Sequence, residues 1–197
     1  QLSDIASYVA GHSLGEYSAL AAVGALSLSD TAKLLKLRGE AMQRAVPVGI
    51  GAMAAIIGPS FDEIESIANE AAEGQVCTAA NDNADGQVVI SGHKQAVERA
   101  MIIAKERGAK MCVLLPVSAP FHCSLMQPAA DEMKMALADT IINKPSLAVI
   151  SNVSVNPEKD PDIIRALLVE QVTGRVRWRE SILKMGELKV TSVLEAG

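Results

Sequence analysis

Between Gly51 and Val117 the hydrophobic pattern changes period several times, and this rhythm limits the possible folds more than any other feature. "GAMAAIIG" reads as a strand, and "SFDEIESIANEAA" as a helix opened by a Ser60-x-x-Glu63 capping box. "QVCTAA" and "QVVISG" read as strands joined by the turn-rich "NDNADG". "HKQAVERAMIIAKERG" reads as a helix closed by Gly108, and "AKMCVLLPVS" as a last strand. The order β-α-β-β-α-β is the split βαβ, or ferredoxin-like, arrangement. Residues 51–117 are therefore expected to form a small domain set into a larger α/β unit made of 1–50 and 118–197.

The flanks follow another pattern. Tyr8-Val9-Ala10 reads as the end of a short buried strand, followed by an alanine-rich helix in "LGEYSALAAVGAL". A second helix is signalled in "SLSDTAKLLKLRGEAMQRAVP", with Ser29 as its cap, Asp30 in its first turn and Pro47 at its end. Beyond residue 118, "MQPAADEMKMALADTI", "DIIRALLVEQV" and "WRESILKMGEL" read as helices, and "LAVISN" and "VTSVLEAG" as strands. Helices alternating with single strands predict a parallel sheet covered on both faces. Aromatic residues make up only 3% of the chain, so the core must be built mainly from Ala, Val, Ile, Leu and Met.

A net charge of −5 argues against nucleic acid as a partner, because phosphate binding needs a basic surface. No apolar run approaches the roughly 18 to 20 residues that span a bilayer, so no membrane association is expected. Cys77, Cys112 and Cys123 show no CxxC spacing, which argues against a disulfide framework or a zinc site and for a cytoplasmic location. No signal peptide is visible. The chain opens on Gln1 and stops at "VTSVLEAG", and so reads as a piece of a longer protein.

Gly11-His12-Ser13-Leu14-Gly15 fits G-x-S-x-G between a strand and a helix. A serine on such a turn stands clear of the sheet, and the helix N-terminus behind it favours a developing oxyanion, with the Leu14 N–H as one donor. A serine at a tight turn can also be purely structural. A nucleophile needs a base. His12 adjoins the serine and is expected to pack or to orient backbone, and His93, at the start of a helix, reads as exposed. His122, in the loop where the chain re-enters the larger unit, is the base by elimination. Cys123 beside it reads as a small buried residue. No aspartate presents itself as a third member, so a backbone carbonyl orienting His122 is an equal alternative.

The second helix carries an arginine on its apolar side. At 100° per residue from Leu34, the positions Leu34, Leu35, Leu37, Ala41, Met42 and Ala45 fill an arc from about 300° to about 100°, and Arg38 falls inside it, near 40°. A guanidinium there must meet an anion or reach out to water. It is either half of a buried ion pair or a fork for a substrate carboxylate.

Taken together, Gly11-His12-Ser13-Leu14-Gly15-Glu16, Arg38 in "LLKLRGEAM", "APFH" ending at His122 and "QVTGRVRW" from Gln171 resemble the malonyl-CoA:acyl carrier protein transacylases. These form an acyltransferase family of fatty-acid and polyketide synthesis, and the resemblance runs over essentially the whole chain. It implies a hydrolase-like α/β core with a ferredoxin-like insert. It also implies malonyl transfer from malonyl-CoA to the phosphopantetheine thiol of acyl carrier protein, without metal or redox cofactor. Ser13 matches the serine that is acylated, His122 its base, and Arg38 the arginine that pairs with the malonyl carboxylate. Gln171 matches a glutamine whose main-chain carbonyl orients the histidine. Phe121 stands where a bulky residue accompanies malonyl units and a serine is common with methylmalonyl. A monomer is expected. The family's upstream strand with its Gly-Gln-Gly loop, source of a second oxyanion donor, has no counterpart here. Loss of such a donor costs around 10²- to 10³-fold in rate, so these residues alone are expected to be poorly active. Two rivals remain: a serine hydrolase of the lipase or esterase kind, and a docking or acyltransferase domain of a larger synthase.

Overall fold

The computed structural model describes residues 5–196. In chain order its elements are β1 (Tyr8–Ala10), α1 (Leu14–Ala22), α2 (Leu28–Ala45), β2 (Gly51–Ile57), α3 (Phe61–Ala72), β3 (Cys77–Ala84), β4 (Gln87–His93), α4 (Lys94–Glu106) and β5 (Met111–Leu114). A 3₁₀ turn at Ser124–Met126 leads into α5 (Gln127–Ala138), then β6 (Ala148–Ile150), β7 (Pro157–Glu158), α6 (Pro161–Glu170) and α7 (Trp178–Glu187).

The middle six elements form an antiparallel sheet of order β3-β4-β2-β5. Helices α3 and α4 pack on it through Ile64, Ile67, Ala68, Val97, Ala100 and Ala104, against Ala54, Ile56, Val88 and Ile90. The capping box is present, with Ser60 Oγ accepting from Glu63 N and Glu63 Oε2 accepting from Ser60 N. The hairpin between β3 and β4 is tighter than "NDNADG" suggested. β3 runs on to Ala84 through two register shifts, and only Asp85-Gly86 turns, with Gly86 at φ 67°. The polar residues of that stretch have partners elsewhere: buried Asp82 accepts from Arg179 at 2.9 Å, and Asn83 Oδ1 lies 2.8 Å from His12 Nε2.

The flanking segments make a second apolar cluster around Tyr17, Leu20, Met126, Met133, Leu137 and Leu168, under a sheet of order β1-β6-β7. The β1–β6 pairing is parallel, as expected, but β6–β7 is antiparallel, so this sheet is mixed. "VTSVLEAG" makes no strand over its described residues: they meet no hydrogen-bonding edge, and Val193 and Leu194 are exposed. Gly197 lies outside the described residues. The cap of α2 is Ser27, whose Oγ accepts from Asp30 N at 3.0 Å; Ser29 already lies inside the helix. No helix among the described residues is long and apolar enough to cross a membrane.

Candidate active site

Ser13 closes the link between β1 and α1 at φ 52°, ψ −108°, a conformation rare for a residue with a Cβ. Gly11 makes this turn possible, because a Cβ there would lie 2.0 Å from the Gly15 carbonyl carbon and oxygen. A serine at a helix N-cap ordinarily turns its hydroxyl back onto the first turn. Here it does not, and Ser13 Oγ lies 2.8 Å from His122 Nε2. His122 also sits at positive φ, 58°, so both partners of this pair are held in strained backbone.

The donor pattern fixes the imidazole tautomer. His122 Nδ1 faces two carbonyls, Gln171 O at 2.9 Å and Gly174 O at 3.2 Å. Carbonyls only accept, so Nδ1 carries the hydrogen and Nε2 is free to accept from the serine hydroxyl. A backbone carbonyl thus stands where a triad would have its carboxylate. Burial, reinforced by the Arg38 charge, lowers the His122 pKa to about 4 and keeps the ring neutral.

Arg38 is buried on α2, as its place in the apolar arc requires. One terminal nitrogen donates to Ser13 Oγ at 3.1 Å and to Gln171 Oε1 at 3.1 Å. Its guanidinium lies 5.9 Å from the centre of the Tyr17 ring. Its Nε has no partner, and no carboxylate comes within ion-pair distance among the described residues. The buried ion pair that the sequence left open is therefore not formed there. Burial pulls the Arg38 pKa below its usual value.

Three residues without a role in the sequence reading complete the site. Glu16, buried on α1, accepts through Oε2 from Gln171 Nε2 at 2.7 Å and from Asn152 N at 3.2 Å. Burial raises its pKa to about 7 against these hydrogen bonds and the Arg38 charge. Asn152, just past β6, clamps the serine turn: its Oδ1 accepts from Ser13 N at 2.6 Å and its Nδ2 donates to Gly11 O at 2.7 Å. Gly174 supplies the second carbonyl on His122. The buried arc of α1 could have revealed Glu16, which lies four residues before Leu20. Asn152 stands at the carboxyl end of a strand, where sites of open α/β sheets gather.

Leu14 N–H, first in α1, has no protein acceptor among the described residues. Phe121 is half-buried, packed against the apolar cluster around Tyr17 and against Met53, Ala80 and Val89. His12 turns from Ser13 toward Asn83 and packs edge-on against Trp178, with ring centres 5.6 Å apart. His93 is not exposed but half-buried, and its Nδ1 accepts from Val76 N at 2.9 Å. Cys123 is buried as expected, with its thiol pKa raised by burial. No group of three His, Cys, Asp or Glu arranged to hold a metal occurs among the described residues.

The chain resembles proteins of known kind throughout. The family model described as "Acyl transferase domain" matches residues 6–196. The chain is 48% identical over 189 residues to the malonyl CoA-acyl carrier protein transacylase of Haemophilus influenzae, covering 96% of this chain and 61% of the relative. The crystal structure of acyl-carrier-protein-S-malonyltransferase from Bartonella henselae is 56% identical and superposes with a TM-score of 0.92, over 95% of this chain and 60% of that one. A malonyl-transacylase in complex with a type II PKS acyl-carrier protein gives 44% identity and a TM-score of 0.92, over 93% and 60%. The chain thus spans about three fifths of the length of these relatives. The family model, by contrast, takes in nearly every described residue, and the chain belongs to the acyl transferase domain family.

Proposed function

We propose that the full-length protein transfers malonyl from malonyl-CoA to the phosphopantetheine thiol of acyl carrier protein, through a malonyl ester on Ser13. The observation that carries this reading is Arg38: a buried guanidinium 3.1 Å from Ser13 Oγ, with an unpartnered Nε and no carboxylate beside it among the described residues. A cation that cannot shed its proton in such a place calls for an anion. An acyl group ending in a carboxylate would bring one to that point, whereas a lipase or esterase has no use for it. The names of the similar proteins support the same substrate and carrier.

In this mechanism Ser13 Oγ attacks the thioester carbonyl while its proton passes to His122 Nε2. The Gln171 and Gly174 carbonyls hold the ring by Nδ1–H and stabilise the imidazolium that forms. The tetrahedral oxyanion accepts from Leu14 N–H at the positive end of α1. On collapse the CoA sulfur leaves with the proton from His122, giving malonyl-Ser13. The carrier thiol then attacks that ester by the same steps in reverse. Arg38 holds the malonyl carboxylate, and Phe121 favours malonyl over the bulkier methylmalonyl. No cofactor is required, and the protein works as a cytoplasmic monomer. We read 51–117 as a ferredoxin-like small domain within a hydrolase-like core formed by 1–50 and 118–197. The antiparallel order β3-β4-β2-β5 and the separate apolar clusters support this division.

Incubating the full-length protein with malonyl-CoA is expected to add one malonyl group to Ser13, detected by peptide mass spectrometry and absent from S13A. An unmodified Ser13 would overturn the reading.

A further inference from the structure

We propose that Glu16 is a positioning residue: its carboxylate fixes the orientation of the Gln171 side-chain amide, which in turn aims Arg38 at the acyl group. The proposal rests on the reading of Arg38 given above.

An amide carries a donor and an acceptor on one carbon, and its surroundings decide which way it faces. Gln171 Nε2 has two acceptors in front of it, Glu16 Oε2 at 2.7 Å and Ser13 O at 3.0 Å. Gln171 Oε1 therefore faces Arg38 and accepts from it at 3.1 Å. Turned over, the amide would set NH₂ against guanidinium, donor against donor. Above its pKa of about 7 the Glu16 carboxylate can only accept, and it then forbids that orientation.

The same placement settles a conflict between charge and access. A carboxylate directly on Arg38 would neutralise it but occupy the fork a substrate needs. Glu16 instead sits one amide away, and its charge still acts on Arg38 from there. The guanidinium keeps its Nε without a partner. Glu16 also accepts from Asn152 N, so the group that orients Arg38 is tied to the clamp on Ser13.

The test is kcat/KM of the full-length protein for malonyl-CoA and acetyl-CoA in wild type, R38A, E16A, E16D and E16Q. E16A is expected to lower the malonyl-to-acetyl ratio by about tenfold, the scale of one lost charge-assisted hydrogen bond, mainly through KM for malonyl-CoA. E16Q, whose amide oxygen can accept where Oε2 does, keeps the ratio within roughly threefold of wild type. Equal losses for both substrates in E16A would show a merely structural residue and overturn the proposal, as would an E16Q as indiscriminate as E16A. Should E16A not fold, E16D withdraws the acceptor by one methylene and must shift the ratio the same way. If R38A leaves the ratio unchanged, the reading of Arg38 itself falls; a ratio that moves in R38A but not in the Glu16 variants defeats this proposal alone.

Discussion

A Cβ added at Gly11 would meet the Gly15 carbonyl at 2.0 Å, whereas one added at Gly15 meets nothing within 4 Å. The two glycines around the serine therefore have unequal tasks. G11A is expected to cost more than about 3 kcal/mol or to prevent folding, because backbone must move. G15A lies in α1 and is expected to be neutral or to stabilise by up to about 1 kcal/mol, as alanine does in helices. Urea midpoints of the two variants check this. At this scale the sequence was legible wherever a residue broke a local rule. Ser13 sits in a G-x-S-x-G between a strand and a helix, and Arg38 sits on an apolar arc. His122 stood out by elimination among three histidines. Asn152 breaks no rule, and Glu16, though on the buried arc of α1, has an ordinary reading as well. An acid in the first turn of a helix suits its dipole, and an asparagine after a strand suits a turn. Their burial and their hydrogen bonds place both against the serine turn.

Among the elements, the limits of α2 show what capping logic can and cannot locate. Ser27 and Ser29 both precede a periodic run, and only the hydrogen bond from Asp30 N to Ser27 Oγ separates them. S27A is expected to lower stability by about 1 kcal/mol, and S29A to raise it slightly, since serine inside a helix only weakens it. Thermal unfolding of the pair distinguishes the two positions by the sign of the change. The rhythm of 51–117 was readable because each of its helices carries its own start or stop signal. β3 runs past its expected end because Asp82 and Asn83 serve contacts with Arg179 and His12, far off in the chain. Composition marks such polar residues as turn, and nothing local says otherwise. The missing strand at "VTSVLEAG" has the same root: strand-like residues need an edge, and sequence alone does not supply one.

For the molecule as a whole, buried His122 and Glu16 pull stability in opposite directions between pH 4 and 7. The unfolded chain protonates His122 at its ordinary pKa of 6.5, the folded chain only near 4, so this contribution is full above pH 6.5 and lost on the way down to 4. Glu16 has a folded pKa of about 7 against an ordinary 4.5, so its contribution is full below 4.5 and lost as the pH rises to 7. Over this shared window the slopes offset each other. E16Q removes one of them, and its stability relative to wild type is expected to rise between pH 4.5 and 7 by on the order of 3 kcal/mol. Urea titrations at several pH values measure that difference. The stretch from Gln171 to Arg179 bears on the molecule in another way. Gln171 and Gly174 hold the histidine, Val176 pairs with the backbone of β3, Arg177 N–H bonds Asn152 O, and Arg179 grips Asp82. It works as a seam stitched at short intervals to His122, the serine clamp and the four-stranded sheet. One residue added or removed there cannot be absorbed as in an ordinary loop, since every stitch beyond it would fall out of step with its partner.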